Sequence, residues 1–173
     1  MLEALIFVVF PFCMVFAAVS DTLSMTIANR VSLLLLVVFA IVAPLTGMGW
    51  AAYGWHFAAG ALVLAVTFGL FAVGGMGGGD AKLLSATAVW MGFSLHLVEY
   101  LVASAFLGGL LTVAILAYRG SNLAIYTGRN MFLRNFADPK GGIPYGIALG
   151  IGGLVTYPGS PLMVWALERL GAQ

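Results

Sequence analysis

The chain has 173 residues, of which 62% are hydrophobic and 8% charged, with seven basic and six acidic side chains and a formal net charge of +1. A soluble domain usually carries about 25% charged residues, and at this size it has too little interior to hide so much apolar surface. Lipid is therefore the main solvent, which excludes a secreted domain, a cytosolic enzyme and a nucleic-acid binder; the near-neutral charge offers no basic patch to a polyanion. The single cysteine, Cys13, excludes an internal disulfide and a Cys-x-x-Cys metal knuckle, and reads as filler in an apolar run.

Crossing a bilayer takes about 20 apolar residues in a helix, and six segments approach that length. The first is expected over about 2–20. Its only early charge is Glu3, with no basic residue ahead of the apolar run, so it reads as an uncleaved span that starts outside rather than as a signal peptide. The second and third are expected over about 31–46 and 55–73. The fourth, about 81–94, is short, and the fifth covers about 97–118. The sixth opens near Ile143 and is expected to stop near Tyr157, because Pro158-Gly159-Ser160-Pro161 is strong punctuation; residues 162–170 then lie at the membrane interface. If the helix instead continues past the two prolines, it reaches about Leu167. The expected fold is an all-α, polytopic membrane helix bundle of about six transmembrane helices, with 1–173 as a single membrane-embedded domain.

Charge sets the orientation. With the N-terminus outside, segments 20–30, 74–82 and 118–143 are inside, and they hold Arg30, Lys82, Arg119, Arg129, Arg134 and Lys140, leaving only Arg169 elsewhere. Cytoplasmic loops carry this excess of Lys and Arg. The longest of them, 118–143, is expected to be partly amphipathic against the membrane face. Trp50, Trp55, Tyr118 and Trp165 fall at span ends, where amphipathic rings collect. His56 and His96 are expected on the outer side, as interfacial residues.

The acidic residues carry the chemistry. Glu3, Glu99 and Glu168 belong to the outer side, and Asp138 precedes Pro139 in the long inside loop. Asp21 and Asp80 remain, each at the inner end of an apolar segment. A carboxylate at membrane depth is costly and usually functional, although each one taken singly also fits a helix-capping role. Asp80 ends the run Gly74-Gly75-Met76-Gly77-Gly78-Gly79, which is too glycine-rich for a stable helix interior. Irregular backbone at membrane depth must line protein or a wet cavity, so a loop at a watery cleft is expected. No Gly-Lys-Ser/Thr follows, which excludes a Walker loop. Close helix packing through Gly74/Gly78 or Gly75/Gly79 stays open, and does not account for the aspartate.

Gly77-Gly78-Gly79-Asp80 resembles the Gly-x-Gly-Asp motif of intramembrane aspartic peptidases, and Ala81-Lys82-Leu83-Leu84 resembles its continuation in type IV prepilin peptidases. Asp21 with Ile27-Ala28-Asn29 is similar to that family's first motif, with Ala28 where proline is usual. Ile143-Pro144-Tyr145-Gly146-Ile147-Ala148 is similar to the stretch that opens its last span. The three matches come in family order and cover nearly the whole chain. The resemblance implies an aspartic endopeptidase with Asp21 and Asp80 catalytic, and with Gly77, Gly79, Lys82 and Asn29 supporting the site or binding substrate. No cofactor is expected, and no metal either, because the chain lacks a Cys/His cluster and both histidines read as outside. The implied partners are prepilin and pseudopilin precursors, the lipid bilayer and the pilus assembly machinery, in the bacterial cytoplasmic (inner) membrane. The segment between the first two spans is short and lacks further cysteines, like the short form without a methyltransferase domain that serves Flp-type pili of tight-adherence systems.

Two close carboxylates cannot both ionise easily and tend to share one proton. The ionised one takes a proton from water and the protonated one polarises the scissile carbonyl; the roles belong to the pair. Three other readings compete, one of them a non-catalytic pilus-assembly subunit. A presenilin-like peptidase carries Tyr-Asp and Pro-Ala-Leu, where this chain has Ser20-Asp21 and Pro144-Tyr145-Gly146. A small proton-coupled carrier would use the aspartates as proton sites, but carriers often show related halves, and none is evident.

Overall fold

The computed structural model describes residues 1–127, 130, 133–139 and 141–172. The described residues form helices α1 (Leu2–Ser24), α2 (Asn29–Leu45), α3 (Trp50–Ala72), α4 (Gly78–Met91), α5 (Leu95–Arg119), two short helices α6 (Asn122–Thr127) and α7 (Arg134–Ala137), then α8 (Gly146–Thr156), a 3-10 turn (Tyr157–Gly159) and α9 (Pro161–Gly171). The fold is all-α, a helical membrane bundle.

Among the described residues, three helices are long and apolar enough to cross a membrane: Leu2–Ser24, Trp50–Ala72 and Leu95–Arg119. A fourth span is available if Gly146–Gly159 and Pro161–Gly171, bent by 48°, count as one. The expected six is therefore not reached by length. The reason lies in α2 and α4, which have 17 and 14 residues, or about 25 and 21 Å at 1.5 Å per residue. The α4 helix does not need full bilayer length, because protein surrounds it: every residue from Leu83 to Met91 is buried. It packs chiefly against α3 and α2, so most of its length meets polypeptide rather than lipid.

Trp90 fixes the core at the far end of α4. Its ring is fully buried, its Nε1 donates to the Leu35 carbonyl at 3.0 Å, and it packs against Phe10, Phe39 and Tyr157. The Tyr157 hydroxyl donates to the Ile6 carbonyl at 2.7 Å. Cys13 is buried on the protein side of α1.

Glycine sets the α1–α8 seam. A Cβ on Gly146 would lie 2.7 Å from the Asp21 Cβ, one on Gly150 2.8 Å from the Met14 carbonyl oxygen, and one on Gly153 2.7 Å from the Met14 sulfur. The two helices run antiparallel at near backbone contact, which small residues permit.

The chain breaks at Pro158-Gly159-Ser160-Pro161, as the punctuation predicts, and α9 continues beyond the 48° bend, burying Leu162 and Ala166. Arg169 lies 4.0 Å from Glu3 at that end.

His56 departs from expectation. It is buried between α3 and α4, with Nδ1 2.7 Å from the Val89 carbonyl oxygen, because Gly92 leaves room for its ring. His96 is at the surface beside Glu99 at 2.9 Å.

Candidate functional site

Asp21 lies in the last turn of α1, which runs four residues beyond the expected end near Ser20, to Ser24. The helix is stopped by Met25, which takes a left-handed conformation at φ 53° and returns its N–H to the Asp21 carbonyl at 2.8 Å. A non-glycine residue in this region is uncommon, so nothing in the residue type announces the stop. The Asp21 side chain is 6% exposed, and its Oδ2 accepts the Gly146 N–H at 2.7 Å.

Asp80 lies in the first turn of α4. The glycine run is split there: Gly74–Gly77 connect α3 to α4, whereas Gly78 and Gly79 are already helical. A whole loop was expected. The entropy cost of the two helical glycines is of order 1 kcal/mol each and is offset by the buried stretch from Leu83 to Met91 that anchors the helix. Two glycines are needed for space. A Cβ on Gly77 would meet the Asp80 Oδ2 at 2.7 Å, and one on Gly79 would press on Ile27 at 3.2 Å from its Cβ and 3.4 Å from its backbone. The start of α4 therefore lies directly against the segment that follows α1.

These two approaches bring the aspartates together. Asp21, Met25, Thr26, Ile27, Gly77, Gly78, Gly79 and Asp80 line one recess of about 240 Å³. Lys82 is two residues beyond Asp80, but its Nζ donates to the Asn29 Oδ1 at 2.9 Å. Lys82 and Asn29 thus latch the starts of α4 and α2 at the surface beside the recess.

The segment before α8 is tied to the ends of α5 and α1. Arg119 Nε donates to the Phe136 carbonyl at 2.9 Å and Nη2 to the Gly142 carbonyl at 2.8 Å. The Asn135 Nδ2 donates to the carbonyls of Thr22 and Leu23, each at 2.9 Å, and so satisfies exposed carbonyls at the end of α1. The Tyr145 hydroxyl is 3.0 Å from the Thr112 Oγ1. Sequence reasoning found the Pro-Tyr-Gly stretch by resemblance but not its contact with Asp21, and it missed Asn135, which no motif marks. Asp138 is exposed in this segment. Arg30, Lys82, Arg119 and Arg134 occupy the recess end of the bundle, opposite Arg169; Arg129 and Lys140 lie outside the described residues. Among the described residues, no group of three or more His, Cys, Asp or Glu side chains is arranged to hold a metal ion.

The fold and the recess define a class: a helical membrane protein with two carboxylates facing one cavity at one end of its bundle. The chain belongs to the type IV leader peptidase family, whose model matches residues 8–113 and so includes both aspartates. It is a membrane peptidase of prepilin leader type. No curated relative and no solved structure matches the chain.

Proposed function

We propose that the protein is an aspartic endopeptidase that removes the leader peptide from Flp-type prepilins and pseudopilins at the cytoplasmic face of the bacterial inner membrane, in association with pilus assembly machinery, and that 1–173 acts as one membrane-embedded peptidase domain. The observation that carries this reading is the shared recess of Asp21 and Asp80. A water held between the two carboxylates loses a proton to the ionised one as its oxygen attacks the scissile carbonyl, while the protonated one donates to the carbonyl oxygen. The same groups then return a proton to the leaving amine.

Each supporting residue has a place in this scheme. The Gly146 N–H holds one oxygen of Asp21 and leaves the other for water. Gly77 leaves room for the Asp80 carboxylate, and Gly79 lets Ile27 pack against the start of α4. Lys82 and Asn29 keep the two helix starts in register. The basic residues at the recess end support a cytoplasmic location for it.

Co-expression with a prepilin tests the reading. A drop in pilin size that requires the peptidase supports it; unchanged pilin beside membrane-inserted peptidase contradicts it.

A further inference from the structure

A second cavity meets the recess at Asp80. Helices α3, α4, α5 and α8 wall a space of about 350 Å³ whose lining includes Asp80 at one end and Leu84, Leu101, Ala105, Tyr145 and Leu149. On α5 it extends from Leu101 to Gly108, or about 10 Å along the axis at 1.5 Å per residue. It is of the size that takes one or two large side chains, and apart from the Asp80 end its walls are mostly apolar.

We propose that this cavity is the specificity pocket of the peptidase, and that it receives a large apolar side chain of the residue beside the scissile bond, with the substrate backbone extended across Asp80. This rests on the peptidase reading of Asp21 and Asp80. The argument is continuity. The bond to be cut must lie at the carboxylates, and the cavity begins at one of them, so only a residue adjacent to that bond has its side chain within reach. A lipid chain filling the same space would have no reason to be aligned with the cut.

Two residues set the pocket's size from opposite walls. Ala105 on α5 is small and exposed, so a larger side chain there narrows the space without disturbing a packed core. Leu84 on α4 is 6% exposed and fills part of the wall, so its truncation enlarges the space. A collision or a missing contact of this size in an apolar pocket changes discrimination by roughly ten-fold or more.

The experiment measures kcat/KM for leader cleavage by the full chain in detergent, with prepilins carrying Ala, Leu, Phe or Trp in turn on each side of the scissile bond. Wild type, Ala105→Phe, Leu84→Ala and Asp80→Asn are compared. At one of the two positions, Ala105→Phe is expected to lower cleavage of the Phe and Trp substrates at least ten-fold relative to the Ala substrate, and Leu84→Ala to shift preference toward Trp. Should Ala105→Phe fail to reach the membrane, the Leu84→Ala shift alone decides. Wild-type preferences in both variants, or an equal fall for every substrate, overturn the pocket while a dead Asp80→Asn leaves the peptidase reading standing. An active Asp80→Asn overturns both.

Discussion

The backbone N–H of Gly146 donates to the Oδ2 of Asp21 at 2.7 Å, across 125 residues of chain. This bond ties the start of α8 to the end of α1 and orients the carboxylate. It exists because glycine allows the approach: a Cβ at 146 would lie 2.7 Å from the Asp21 Cβ and 3.1 Å from the Ala17 carbonyl oxygen.

Gly146→Ala therefore pushes α8 away from Asp21. Misplacing a reacting group by about 1 Å costs on the order of 100-fold, so kcat should fall by about that factor. Gly150→Ala is the control. Its Cβ would strike the Met14 carbonyl oxygen at 2.8 Å, about two helical turns along α1 from Asp21, so it should lower the melting temperature and retain more activity per folded molecule. Equal specific activity in the two variants would show that the Gly146 contact serves packing alone.

The Lys82–Asn29 latch is exposed, and exposed charged contacts contribute about 0–1 kcal/mol. Lys82→Met and Asn29→Ala should each change stability by no more than about 1 kcal/mol, and the double variant should match either single one. A double-mutant cycle by thermal unfolding in detergent measures this; a coupling several times larger would mean that the latch holds more than two helix starts.

Trp90→Phe removes the donor to the Leu35 carbonyl and leaves a buried acceptor without it, at a cost of about 1–3 kcal/mol. The melting temperature should drop clearly. Residue 90 is ten positions from Asp80, or about 15 Å along α4, so leader cleavage per folded molecule should stay near wild type. A selective loss of kcat would contradict the separation of core and site.

Reporter fusions test the orientation. Fusions at Gly120 should report the cytoplasm and fusions at Gly49 the opposite side, since Lys82, Arg119 and Arg134 gather at the recess end. The reverse pattern would remove the aspartates from the cytoplasmic face.

The pair of aspartates was legible because carboxylates are scarce in this chain, and two of them sit at matching ends of apolar runs. The broken last segment was legible from its two prolines. Other features arise from packing and leave no local mark. Met25 ends α1 in a left-handed conformation without being glycine or asparagine, so the span looked shorter than it is. Gly78 and Gly79 are helical against their propensity because the rest of α4 is buried. His56 looked interfacial because only the α3–α4 seam supplies its bond to Val89. The count of six spans came from apolar length alone, which cannot tell a helix sheathed by protein, as α4 is, from one that faces lipid along its whole length.

The most direct measurement is leader cleavage by Asp21→Asn, Asp80→Asn and the double variant, scored as the ratio of precursor to mature pilin at equal peptidase level in the membrane. Asparagine keeps the shape of each side chain but neither ionises nor shares the proton. Residues that act as a unit are strongly non-additive, so each single variant should be as inactive as the double one, and Asp138→Asn, exposed outside the recess, should mature pilin normally. Maturation at near wild-type rate by either Asp21→Asn or Asp80→Asn would contradict the aspartic mechanism.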